Sequence, residues 1–138
     1  MYLSKISIKD FRMFSDVVEV SFSKGLNLLV GENGSGKSSV VDAIRALLGE
    51  NEFSRRGIIE EDFYSVFCES QKKSSESLFI SGVFSNLTEA QKVEYLSWLD
   101  EDFNAKLSFE VQRTLNRRNN YKQKRWGGNS SNSFFDIE

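Results

Sequence analysis

LNLLVGENGSGKSSVVDAIRALLG, residues 26–49, decides the fold. Its centre, Gly31–Ser38, matches G-x-x-x-x-G-K-[ST] in full, with the apolar run Leu26–Val30 directly before it and a helical pattern directly after. In such a loop the glycines let the backbone turn tightly, so that successive N–H groups point at phosphate oxygens, and the next helix presents its positive dipole end to them. Lys37 supplies a mobile charge for the β- and γ-phosphates, and the Ser38 hydroxyl stands where it can ligate Mg²⁺. A turn that merely joins a strand to a helix needs one or two glycines. Here Gly31, Gly34 and Gly36 fall in register with the Lys-Ser pair, so nucleotide binding is the expected role. From Lys37 onward, Val40, Val41, Ile44, Leu47 and Leu48 recur at three- and four-residue spacing until Gly49, which predicts a helix with a C-terminal glycine stop. Leu26–Val30 reads as a buried central strand feeding the loop.

On the N-terminal side, Leu3, Ile6 and Ile8 mark one strand and Val17–Phe22 another, with KDFRMFSD as the turn between them. On the C-terminal side, residues 50–77 have weak periodicity and form a long connection with a short element around Phe63–Phe67. Leu78–Phe84 predicts a strand. Thr88-Glu89-Ala90-Gln91 is a capping box, and Val93, Leu96 and Leu99 share a face, which predicts a helix over about 88–100. Leu107, Phe109 and Val111 alternate with polar residues as in a half-buried strand, Asn116–Asn120 turns, and Tyr121–Trp126 returns as the hairpin partner. The organisation is therefore 1–49 strands, loop and first helix, 50–77 connection, 78–126 strand-helix-hairpin lobe, and 127–138 tail. That tail turns apolar again at Phe134, Phe135 and Ile137, as though running into a further segment of fold.

The 138 residues suffice for about one domain but are short for an elaborated P-loop ATPase. A net charge of −2 gives no whole-chain argument for nucleic acid. With one cysteine, Cys68, and no histidine, the chain has no disulfide framework, no cysteine-based zinc cluster and no histidine base. A cytosolic setting fits, and no apolar run approaches the ~20 residues of a membrane span or forms a signal peptide. Charge is nonetheless unevenly placed. Arg113, Arg117, Arg118, Lys122, Lys124 and Arg125 lie together without an acid, beside Tyr121 and Trp126. Such a block can track a phosphate backbone, or it can be a solvated hairpin tip.

ISIKDFRMF followed by FSKGLNLLVGENGSGKSSVVDAIRALLG resembles the N-terminal half of the ATPase head shared by SMC, RecF and related ABC-type DNA-maintenance proteins. The resemblance over about residues 3–49 implies an α/β P-loop NTPase of the ABC-ATPase type, with a mixed sheet carrying the Walker A loop and helix, an antiparallel side sheet, and further elements needed to complete it. IIEEDFYSVF, residues 58–67, resembles the connecting segment of OLD-family ATP-dependent endonucleases, which join an AAA-type ATPase domain to a TOPRIM nuclease. Carried over by position, the resemblance implies nucleotide contacts from Asn33, Gly34, Ser35, Gly36, Lys37, Ser38 and Ser39, with Ser38 on Mg²⁺. Arg12, in the FR position, either approaches the nucleotide or DNA or is a surface arginine on a turn, and Asp42 anchors the helix or the loop. The implied cofactors are ATP and Mg²⁺, and the implied partners are DNA and a second ATPase head.

The family's hydrolytic parts, an apolar strand ending in Asp-Glu, an LSGGQ-type segment and a switch histidine, are not found in this sequence, so no catalytic residue is assigned. Tyr95–Glu101 imitates the Asp-Glu strand, but its helical spacing and the capping box before it read as a helix end. The expected function is ATP binding within a DNA-processing protein of OLD-endonuclease type. The alternatives are an SMC- or RecF-like repair or chromosome ATPase and a split nucleotide-binding interaction subunit.

Overall fold

The computed structural model describes residues 1–49, 58–113 and 121–129. Its strands are β1 (Tyr2–Lys9), β2 (Val18–Ser21), β3 (Ser65–Cys68), β4 (Gln71–Ser74), β5 (Ser77–Ser85), β6 (Ala105–Arg113) and β7 (Tyr121–Gly127). Helix α1 spans Lys37–Leu48 and the short helix α2 spans Glu89–Glu94. Five strands form one sheet in the order β2-β1-β5-β6-β7, every pairing antiparallel, while β3 and β4 make a separate hairpin.

Period-two alternation divides the large sheet into two faces. On one, Ile6, Ile8, Leu78, Ile80, Leu107, Phe109 and Val111 join the core with Val40, Ala43, Ala46 and Leu47 of α1. The helix lies close on the strands because residue 82 is glycine. A Cβ there would stand 2.6 Å from the Leu47 side chain and 3.1 Å from that of Leu3. The other face carries Lys106, Ser108, Glu110 and Gln112 of β6 beside Lys122, Lys124 and Trp126 of β7, with Ser108 and Trp126 buried.

Two sequence expectations are corrected. Leu26–Val30 forms no strand among the described residues, and Leu26 and Val30 are 87% and 89% exposed. A continuous apolar run suits a strand covered on both faces, but the sheet formed here is the antiparallel one, and none of its strands takes this run as a neighbour. The mixed pairing expected around the loop is accordingly not seen among the described residues.

The helix expected over 88–100 is only six residues long, and a 3-10 turn at Leu96–Trp98 follows it. Its capping box forms as read, with Thr88 Oγ1 accepting from the Gln91 N–H at 3.2 Å and Gln91 Oε1 from the Thr88 N–H at 2.9 Å. Val93 and Leu96, however, are exposed. Trp98 anchors the segment instead, so close over Gly127 that a Cβ at residue 127 would lie 2.2 Å from the indole. Asp100 is a turn residue and not the end of an Asp-Glu strand, since its Oδ1 accepts the N–H groups of Asp102 and Asn104, each at 2.9 Å.

The element expected near Phe63–Phe67 is the β3–β4 hairpin with a 3-10 turn, Glu60–Asp62, before it. Among the described residues no helix is long and apolar enough to cross a membrane.

Candidate nucleotide-binding site

The Gly31–Ser38 loop ends on α1, whose N-cap is Gly36 with φ +97°. Gly34 also has a positive φ, +85°, so the two glycines supply the left-handed conformations on which the chain turns into α1. The cradle is tight, since a Cβ on Gly31 would meet Ser35 Oγ at 2.6 Å. No side chain caps the N-terminus of α1 among the described residues, and its first turn carries no acid. The orphan N–H groups and the positive end of the dipole are thus left for an external anion. Lys37 folds back across the loop and donates from Nζ to the Gly31 carbonyl. Asn33, Gly34, Ser35 and Ser38 are exposed, whereas Gly36 is buried. The uncapped helix start, the Lys37 ammonium and the exposed Ser38 hydroxyl are of a chemistry that fits a phosphate chain, while the Ser35 N–H is itself donated to the Glu32 carbonyl at 3.1 Å.

What buries Gly36 is the turn after β1. A Cβ at residue 36 would lie 2.8 Å from the Phe14 ring and 2.9 Å from Met13 Sδ. Phe11, wholly buried, bridges to Phe14 and Phe63 and locks this turn between the loop and the 58–64 segment. Sequence reasoning passed over Met13 and Phe14 as turn material; nothing in KDFRMFSD shows that the turn packs on the loop.

Arg12, with φ +51°, extends its guanidinium between two carboxylates. It contacts Asp42 of α1 through Nη1 and Asp62 through Nε, the latter at 3.4 Å. Arg12 is therefore not a free surface arginine. Asp42, also paired with Arg45 at 3.4 Å, does anchor the helix, and the structure brings in Asp62, which the sequence reading did not single out.

The basic block divides by strand parity. Arg113 stacks over Phe63 at 4.6 Å, with Glu60 3.9 Å away, and Tyr121 stacks on the same ring at 5.3 Å. Arg125 stacks over Phe109 at 4.6 Å and donates to the carbonyls of Leu47 at 3.1 Å and Ala46 at 2.8 Å, closing the C-terminal end of α1. Burial lowers its pKa from the ordinary arginine value. These three residues serve the inner face, leaving Lys122 and Lys124 on the outer one. Arg117 and Arg118 lie outside the described residues.

Fold and loop together are those of part of an ABC-type P-loop ATPase head. The chain belongs to the family described as the AAA ATPase domain, whose match runs over residues 1–135. It is similar to the chromosome partition protein Smc of Bacillus subtilis, 40% identical over 74 residues that make up 53% of this chain and 6% of that protein. The corresponding Smc of Chlorobaculum tepidum is 56% identical over 50 residues, 36% of this chain and 4% of that protein. The DNA double-strand break repair Rad50 ATPase of Thermococcus kodakarensis is 52% identical over 44 residues, 32% of this chain and 5% of that protein. The chain thus spans a small fraction of these relatives.

Among solved structures, one from work on ATP-driven dimerization and DNA-stimulated activation of SMC ATPases superposes with a TM-score of 0.65 at 24% identity, covering 91% of this chain and 69% of that one. The Smc head domain with a coiled coil and joint derived from Pyrococcus yayanosii gives 0.63 at 23% identity, covering 91% and 22%. At these identities the likeness is one of fold.

Proposed function

We propose that this chain binds ATP with Mg²⁺ as part of an ATPase head in a DNA-maintenance protein of the SMC and Rad50 kind. The observation that carries the reading is the uncapped, acid-free N-terminus of α1 rising from a tight glycine cradle with Lys37 lying across it. In this reading the amides of Asn33–Gly36 and the Ser39 hydroxyl hold the phosphates, Lys37 addresses their outer charge, and Ser38 ligates Mg²⁺. Bound Mg²⁺ would neutralise the phosphate charge that any phosphoryl transfer develops. The chain's own residues bind and orient. Turnover requires an acid to order the metal and a group to position water, to be supplied by further chain or by a partner head. Titration of the protein with Mg·ATP, with Lys37→Ala as the control, tests the reading; equal affinity of the two proteins would defeat it.

The names of the relatives, chromosome partition and double-strand break repair, support a role on DNA. The OLD-type endonuclease reading retains one observation, the IIEEDFYSVF segment at 58–67, and it would need a nuclease domain beyond these residues. A cytoplasmic location and pairing of two heads across ATP belong to the same proposal. The exposed Leu26–Val30 run is then the edge on which the rest of the head builds.

A further inference from the structure

Asp62 is 1% exposed and its carboxylate faces two ways. Oδ2 accepts the Ile59 N–H at 3.1 Å, while Oδ1 receives Arg12 Nε at 3.4 Å, and the Asp62 carbonyl accepts the Arg12 N–H at 2.8 Å. The other side of the same guanidinium rests on Asp42. Asp42 follows Ser38 by four residues on α1, so the two side chains are neighbours on one helix face, about 5–6 Å apart at Cβ. The residues after Arg12, Met13 and Phe14, touch the loop at Gly36. Arg12 therefore stands beside the candidate phosphate site with five N–H donors, shared between a carboxylate on the loop helix and one on the connecting segment. The two ties are unequal. The Arg12–Asp62 side-chain contact is at the long limit of a hydrogen bond, and the Arg12–Asp42 contact is the closer of the two.

We propose that Asp62 and the phosphates of a bound nucleotide compete for the Arg12 guanidinium, so that occupancy of the loop loosens the hold of Arg12 on the 58–64 segment. The inference rests on the nucleotide-binding reading above and adds a route from that site to the connection. A phosphate chain offers several anionic oxygens to a planar fork and takes donors from the longer, weaker contact first. Because coupling is reciprocal, weakening the Asp62 contact must strengthen nucleotide binding. An Asp62 that only supported the fold would do the opposite, since removing a buried, satisfied carboxylate disorders the site.

The test is a titration of the whole chain with a fluorescent ATP analogue and Mg²⁺, for wild type, Lys37→Ala, Asp62→Asn, Arg12→Gln and the Asp62→Asn/Arg12→Gln double variant. Asp62→Asn is expected to bind roughly five-fold tighter than wild type and Arg12→Gln weaker, with Asp62→Asn having no effect in the Arg12→Gln background. An Asp62→Asn protein that binds no tighter, or that tightens equally without Arg12, overturns the competition while leaving nucleotide binding standing. A wild type as inert as Lys37→Ala overturns both. Should Asp62→Asn fail to fold, amide hydrogen exchange on the wild type decides: the Ile59 and Arg12 amides are expected to exchange faster with Mg·ATP present, and unchanged rates there overturn the proposal.

Discussion

Gly36 shows how a single position serves both backbone and packing. Its φ of +97° is one that L side chains rarely adopt, and the Phe14 ring and Met13 Sδ occupy the space a Cβ would need. Gly36→Ala is therefore expected to cost about 1–3 kcal/mol of stability and to weaken nucleotide binding by tilting the start of α1. Urea unfolding and the same ATP titration check it, and a stability change within about 0.5 kcal/mol of wild type would show that the turn after β1 yields. At this scale the sequence was readable where chemistry is tied to spacing. Lys37 and Ser38 open α1, as the motif's place directly before a helical pattern led one to expect. Asp62 was not readable: Glu60, Glu61 and Asp62 follow one another, and nothing local says that the third is buried against an arginine fifty positions away. Arg12 was readable as a position but not as an ion pair, for the same reason.

Among the elements, α1 is gripped at both ends, by the turn after β1 at Gly36 and by β7 at its C-terminus. Arg125 reaches the carbonyls of Ala46 and Leu47 just where Gly49 ends the helix. A cation at the negative end of the dipole, hydrogen-bonded and partly buried, contributes about 1–2 kcal/mol, so Arg125→Ala is expected to lower the unfolding free energy by that amount. Arg125→Lys should recover only part of it, because a point charge cannot bond two carbonyls and stack on Phe109 as a planar fork does. Burial lowers the Arg125 pKa, but a guanidinium stays protonated, so the loss should be the same across the neutral pH range in thermal unfolding. A full recovery by lysine would reduce the contact to simple charge. Strand β6 could be read in advance because Leu107, Phe109 and Val111, at alternate positions, are the side chains it buries in the core. The helical face of Val93 and Leu96 misled, because α2 is too short to turn that face inward. The β3–β4 hairpin was legible only as a short element, since its turn uses Glu69 and Ser70 at positive φ in place of the glycine or asparagine that usually announces one.

For the whole molecule, two kinds of association must be told apart, and the structure gives each its own handle. Among the described residues, Lys122 and Lys124 are the members of the basic block on the outer sheet face. Reversing both to glutamate is expected to weaken DNA binding by the intact protein and to flatten its salt dependence by about one to two units of slope; an unchanged slope would move the contact elsewhere. Self-association is the other case. Leu26, Leu28 and Val30 are exposed at 87%, 78% and 89%, an apolar run with no strand neighbour among the described residues. Exposed apolar surface is buried by association, so the 138 residues alone should associate without nucleotide, and Leu28→Asp should reduce that association while ATP affinity stays unchanged. Head pairing across ATP should behave in the opposite way: it should need a slowly hydrolysed ATP analogue, disappear in Lys37→Ala and survive Leu28→Asp. Sedimentation velocity on the three proteins, with and without the analogue, separates the two. A nucleotide-dependent faster boundary in wild type and Leu28→Asp but not in Lys37→Ala supports ATP-driven pairing. Profiles indifferent to the analogue in all three would remove nucleotide as the driver and leave the apolar edge as the cause of any association seen.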